Sequence, residues 1–125
     1  LPAEMIVAAL VGPEALTGST RLKSGTATKR ILNLISTATM VRLGKVYRNL
    51  MVDLVPTNQK LRWRSRRILA EITKVTDEEA DQLLDAAGAP SALKVALVMR
   101  LLDLDPVEAR RQIDQADGFL HRLLG

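Results

Sequence analysis

The sequence predicts a mainly α-helical chain. It should open with one strand and a glycine-containing loop, continue into a long helix, and close with a small helical bundle. Three observations carry this prediction. Met5-Ile6-Val7-Ala8-Ala9-Leu10-Val11 is short and continuously apolar, and Gly12-Pro13 stops it abruptly; such a run suits a strand buried on both faces. From Thr26 onward, apolar residues recur at helical spacing. Two helix-start signatures, Thr76 with Glu79 and Asp105-Pro106-Val107-Glu108, divide the C-terminal part into short helices.

The strand cannot stand by itself. Its sheet partners are expected in another chain or in a preceding part of this one, and a first residue of Leu1 rather than Met suggests a trimmed or proteolytic fragment. The alternative for this stretch is a helix start with Ala3 and Glu4 in its first turn. The loop follows from Gly12 to Lys29, with glycines at 12, 18 and 25, small hydroxyl residues, and the cations Arg21, Lys23 and Lys29. Glycines permit tight or positive-φ backbone there. Strand, polar loop, helix start is one way to build an anion site.

The next helix is expected from about Thr26 to Leu43. Ile31, Leu32, Leu34, Ile35, Ala38, Met40, Val41 and Leu43 surround most of it, and a helix apolar nearly all round belongs inside a larger assembly. Gly44 suits its C-terminal cap. Lys45 to Val55 reads either as a short helix or as an extended connector, and Pro56 ends it. Thr57 is a good N-cap for a helix from about Asn58 to Lys74, whose stripe is Leu61, Ile68, Leu69 and Ile72. Arg62, Arg64, Arg66 and Arg67 lie mostly off that stripe. Thr76 and Glu79 form a capping box opening a helix from Asp77 to about Ala86, with Ala80, Leu83 and Leu84 inward. Gly88-Ala89-Pro90 is a turn. Ser91 caps a helix to about Leu102, and Asp105 caps one to about Ala116. Gly118 allows a break before the tail.

Composition narrows the function. A chain of 125 residues fits one domain, or a small domain plus a fragment. With only Tyr47, Trp63 and Phe119 as aromatics, the core must be aliphatic. Without cysteine there is no disulfide and no thiolate metal site, which fits a reducing cytoplasm. The single His121 excludes a multi-histidine metal site and reads as a partly exposed helix residue. No run approaches the ~20 apolar residues of a transmembrane helix, and no signal peptide is visible. Between Thr17 and Arg67 stand twelve Lys/Arg against one acid, Asp53, whereas Thr76 to Gly125 carries ten Asp/Glu against five Lys/Arg. A basic half can face nucleic acid, phosphorylated ligands or an acidic partner, or be a solvated face. Trp63 among the arginines is suited to stacking on a base. No helix-turn-helix spacing or zinc pattern accompanies it, so a solvated or interdomain helix face is the preferred reading.

Residues 12–29, Gly-Pro-Glu-Ala-Leu-Thr-Gly-Ser-Thr-Arg-Leu-Lys-Ser-Gly-Thr-Ala-Thr-Lys, resemble the signature of the bacterial N-acetylmuramic acid 6-phosphate etherase family, shared with the glucokinase regulatory protein. Leu32-Asn33, Ser36-Thr37, the stretch Gly44 to Asp53, Thr57-Asn58, Lys60-Leu61, Lys94 and Gly118-Phe119 extend the likeness over nearly the whole chain. The resemblance is closer to the bacterial etherases. It implies that residues 1–56 are the end of an α/β sugar isomerase domain, a doubly wound fold binding phosphosugars, of which this chain holds the last strand and helix. Residues 57–75 would be a connecting helix and 76–125 a ubiquitin-associated-like bundle.

The family cleaves the lactyl ether of N-acetylmuramic acid 6-phosphate to N-acetylglucosamine 6-phosphate and D-lactate in cell-wall recycling. It proceeds by elimination and water addition on glutamates, as a cytoplasmic homodimer, with no metal or organic cofactor. Its members are much longer; their Thr-Ser-Gly-Arg phosphate loop and acid/base glutamates lie in an N-terminal half that has no counterpart here. Glu14 belongs to the Gly-Pro-Glu signature and is not one of those glutamates.

The resemblance therefore implies no catalytic residue and no metal site in this chain, and no etherase activity for it alone. Substrate-binding candidates are Glu14, Ser19, Thr20, Arg21 and Lys23. Glu14 reads as an acceptor for sugar hydroxyls or a support for the loop, against an ion pair with Arg21 or Lys23. Ser19 and Thr20 suit ligand contact or turn capping. Arg21 and Lys23 suit phosphate attraction or fixing of the loop. Asn33, Ser36 and Thr37 read as satisfied polar groups. The expected partners are a phosphosugar and a second copy of the chain, with no nucleic acid and no membrane. The alternative function is a non-catalytic phosphosugar-sensing or protein-interaction module.

Overall fold

In the computed structural model, residues 4–125 are described. The chain divides into two units, Leu1–Thr39 and Met40–Gly125. Six helices and one two-stranded sheet make up the regular structure of the described residues, so the expectation of a mainly α chain holds.

The first unit departs from expectation at its start. Met5 to Val11 forms no strand, and Met5, Ile6, Val7 and Leu10 stand exposed. The physical reason is the missing ladder: none of the described residues pairs with this run, and a strand without a neighbour leaves its backbone groups to water. The competing helix start involves Ala3, which lies outside the described residues. After the loop comes α1, Lys23–Arg42. It begins three residues earlier than the apolar pattern indicates. The Glu14 carboxylate accepts the backbone N–H groups of Lys23 at 3.0 Å and Ser24 at 2.9 Å, satisfying two of the donors a helix start leaves open. No α1 residue is buried, and Leu32, Leu34 and Ile35 are more than half exposed.

The second unit holds the core. α1 ends as expected at Gly44, whose φ of +67° suits the left-handed residue that closes a helix. Its N–H donates to Val41 O, and that of Lys45 to Met40 O. Lys45 to Val55, left open by the sequence, contains a hairpin: β1, Val46–Tyr47, and β2, Leu50–Met51, pair antiparallel with Val46 opposite Met51 and Tyr47 opposite Leu50.

α2, Gln59–Thr73, is capped by Asn58, whose side chain accepts from Leu61 N at 3.0 Å. This corrects the expectation of a Thr57 cap. Asn58 has the extended backbone an N-cap requires. α3, Asp77–Ala87, opens on the capping box read from Thr76 and Glu79. Its C-terminal carbonyls are gathered by the Arg110 guanidinium, which donates to Ala87, Gly88 and Pro90 O, a cation where the helix dipole favours one.

α4, Ala92–Leu102, is the axis of the unit. Every residue from Ala92 to Met99 is buried, and the helix packs against α2, α3 and α5. Leu93 and Leu97 are fully enclosed, each contributing about 1.5–3 kcal/mol by leaving water. Ser91 precedes α4 but does not cap it through its side chain, which is engaged elsewhere. α5, Pro106–Gln115, has Asp105 as N-cap, accepting from Val107 and Glu108. The reciprocal half of a capping box is missing because Glu108 is bonded to Arg111 and Gln112. Gly118 breaks the chain before the short α6, His121–Leu124. His121 is exposed there, as read, its ring edge-on to Phe119.

Candidate functional site

The loop between Gly12 and Leu22 is fastened at Glu14. Both carboxylate oxygens are taken by α1 backbone N–H groups, which depress its pKa below the ordinary glutamate range, the bond from Ser24 contributing most and that from Lys23 next. A carboxylate thus occupies the helix N-terminus where an external anion would otherwise sit. Of the alternatives weighed for Glu14, this geometry is that of loop support. Neither Arg21 nor Lys23 makes an ion pair with it among the described residues, and the Lys23 ammonium donates to Val11 O at 3.4 Å.

Ser19 is part-buried, and its N–H closes a turn onto Leu16 O at 3.0 Å. Thr20, Arg21 and Lys23 are exposed. Arg21 and Lys23 share an open concavity of about 650 Å³ with Leu22, Thr26, Ala27 and Arg30. Ser19, Thr20 and Glu14 do not line it. Arg30 was missed in the sequence, although it lies seven residues beyond Lys23 and so on the same helical face.

A second cluster was legible only in part. Lys94 sits in the apolar run of α4 and is 5% exposed. Its ammonium donates to Gly44 O at 3.0 Å and Gly118 O at 3.2 Å. Burial lowers its pKa, Asp53 opposes that shift and Lys45 adds to it. Asp53 pairs with Lys45 at 3.1 Å and accepts the Ser91 hydroxyl at 2.7 Å. Burial alone would raise the Asp53 pKa, but Ser91, Lys45 and the Lys94 charge together bring it below the ordinary range. Asp53, Ser91, Lys94, Arg110 and Asp114 line a concavity of about 280 Å³. The sequence signal for Lys94 is a cation set within the apolar run Ala92–Met99, which calls for buried acceptors.

The arginines of α2 divide. Arg62 pairs with Asp85 at 2.9 Å and Asp81 at 3.4 Å, and Arg66 with Asp81 at 3.1 Å and Asp77 at 3.7 Å. These pairs tie α2 to α3. Arg64 and Arg67 have no ion pair among the described residues. Those residues contain no group of three or more His, Asp or Glu side chains placed to hold a metal, and no helix among them is long and apolar enough to cross a membrane.

No protein-family model matches the chain. Individual relatives do. An N-acetylmuramic acid 6-phosphate etherase of Oceanobacillus iheyensis is 52% identical over 120 residues, covering 96% of this chain and 40% of the relative. An N-acetylmuramic acid 6-phosphate etherase of Rhodopirellula baltica is 44% identical over 121 residues, covering 97% and 39%. One of Pseudoalteromonas atlantica is 49% identical over 122 residues, covering 98% and 39%. The chain spans about 40% of the length of these relatives. Residues 12–29 and the Gly44–Asp53 stretch, which carry the resemblance in sequence, are also the segments that place Glu14, Arg21, Lys23, Gly44 and Asp53 in the two clusters above. By sequence, the chain corresponds to a C-terminal part of the N-acetylmuramic acid 6-phosphate etherases.

Proposed function

We infer that this chain serves as the C-terminal part of an etherase acting on N-acetylmuramic acid 6-phosphate, and that it shapes the phosphosugar pocket without supplying the proton chemistry. The observation that carries this is identity of 44–52% across nearly its whole length to proteins named as that enzyme. In this reading, residues 1–56 close the phosphosugar-binding domain, 57–75 connect, and 76–125 form the helical bundle. Arg21 and Lys23, which face an open concavity with Arg30, attract the phosphate group, as cations do. Ser19 and Thr20 offer hydroxyls beside them, and Glu14 holds the loop that presents all four. Elimination of a lactyl group needs a positioned base and acid, and Glu14, with both oxygens committed to backbone N–H groups, is poorly placed to move a proton. The proposal extends to a homodimer working in the cytoplasm. The similarity to etherases weighs against the sensing-module alternative.

The test is a chimera. The matching C-terminal segment of the Oceanobacillus iheyensis etherase is replaced by this chain, and D-lactate release from N-acetylmuramic acid 6-phosphate is measured. The chimera retains activity within about tenfold of the parent, a loss of no more than ~1.4 kcal/mol in the barrier, while the 125-residue chain alone releases none. A folded chimera without activity, or turnover by the isolated chain, overturns the reading.

A further inference from the structure

The exposed face of α2 has properties that its packing role does not use. Arg62 and Arg66 are neutralised by α3 aspartates. Lys60, Arg64 and Arg67, spaced i, i+4 and i+7, share another face. All three are exposed, and none has an ion pair among the described residues. Trp63, the only tryptophan, stands beside them 53% exposed, with the Arg67 guanidinium 5.8 Å from its ring centroid. With Leu50 of β2 and Glu71 one turn further along, these residues line a concavity of about 290 Å³. Trp63 lies outside the buried core cluster, so about half of its large apolar surface is left facing water.

We propose that this face is a binding site for a small sugar phosphate. The cations extend over about 10 Å of helix at 1.5 Å per residue, the scale of one phosphorylated sugar ring. Lys60 and Arg64 supply charge-assisted bonds to the phosphate. The indole offers a flat apolar surface for the C–H face of the ring. Glu71 accepts hydrogen bonds from ring hydroxyls, and its charge ends the cationic row. A nucleic acid would require cations continuing along a groove to follow successive phosphates, and here the row stops at an acid. The concavity accommodates a single-ring ligand. The proposal does not depend on the etherase reading, since it rests on a different element from the glycine loop and names a ligand class open to test with the isolated chain.

Trp63 is itself the probe. Glucose 6-phosphate, glucose, inorganic phosphate and a single-stranded oligonucleotide are titrated separately into the 125-residue chain. Tryptophan emission is followed, together with the backbone amide shifts of α2 by NMR. Glucose 6-phosphate gives a saturable response in both, weakened by 0.5 M NaCl. Glucose alone gives none, and inorganic phosphate binds at least tenfold more weakly. Lys60→Gln and Arg64→Gln, both at exposed positions, each reduce affinity for glucose 6-phosphate at least fivefold without changing the far-ultraviolet circular dichroism. Absence of saturable shifts on α2, an equal response to glucose, or tighter binding of the oligonucleotide overturns the proposal.

Discussion

Lys94 shows how one side chain closes a structure. Its ammonium reaches two backbone carbonyls, those of Gly44 and Gly118, at a point where no β-carbon fits: one built on Gly44 would lie 2.8 Å from Gly118 O. Lys94→Met keeps the volume but leaves both carbonyls without their donor. The expected loss is ~2–4 kcal/mol in a urea melt, on the scale of unsatisfied buried acceptors at ~1–3 kcal/mol each. A neutral outcome would show that water replaces the ammonium.

Glu14 gives a pH signature at the same scale. Its folded pKa lies below the ordinary value, so its hold on α1 is fully present above the unfolded pKa and is lost as pH falls through the folded one. The amides of Lys23 and Ser24 are therefore expected to lose hydrogen-exchange protection, relative to the middle of α1 and after correction for intrinsic rates, as pH falls into the acid range. Glu14→Gln should show the reduced protection already at neutral pH. Protection that ignores both changes would mean the carboxylate does not cap the helix.

Among elements, α2 offers a clean discrimination. Asn58 accepts from Leu61 N, whereas the N–H of Thr57 donates to Val55 O and its side chain has no capping bond. Asn58→Ala should cost about 1 kcal/mol, and Thr57→Ala no more than about 0.5 kcal/mol, the range of ordinary surface changes. Equal losses by thermal denaturation would restore Thr57 as the cap. The capping box of α3 was legible because Thr76 and Glu79 satisfy each other within four residues. The hairpin at Val46–Met51 was not, because two-residue strands are too short to show alternation and each is defined by the other. The strand expected at Met5 to Val11 failed for the opposite reason: the apolar run is real, but composition supplies no ladder partner. Lys94 and Asp53 could be counted as polar interruptions, yet Gly44 and Gly118 lie 50 and 24 residues from Lys94, and nothing local announces them. In the loop, the charges of Arg21 and Lys23 were readable, but Glu14's reach of nine and ten residues to α1 was not.

At the scale of the molecule, apolar side chains are distributed unequally. The Met40–Gly125 unit encloses Leu69, Leu93, Leu97 and Leu120 completely, whereas Met5, Ile6, Leu10, Leu32, Leu34 and Ile35 in the other unit are at least half in water. Exposed apolar surface of this extent seeks cover. The 125-residue chain should therefore self-associate at micromolar concentration, visible as a mass above 13.7 kDa in light scattering. Replacing Leu32, Leu34 and Ile35 by serine should shift the distribution toward the monomer. A monodisperse wild-type monomer would show that this surface is tolerated by itself.

The meeting of Gly44 and Gly118 has a consequence for how the second unit can be strung together. Segments near its beginning and near its end meet, and the Tyr47 hydroxyl also reaches Gly125 O at 3.5 Å. The unit is in effect a ring of elements with a seam. A ring can be cut anywhere its backbone is exposed, and the turn at Ala89–Pro90 is such a place. Opened there and joined across the seam, the same helices would follow one another as α4, α5, α6, hairpin, α2, α3, with α4 still at the centre. The order in which the chain visits its elements is thus one of several that this packing permits.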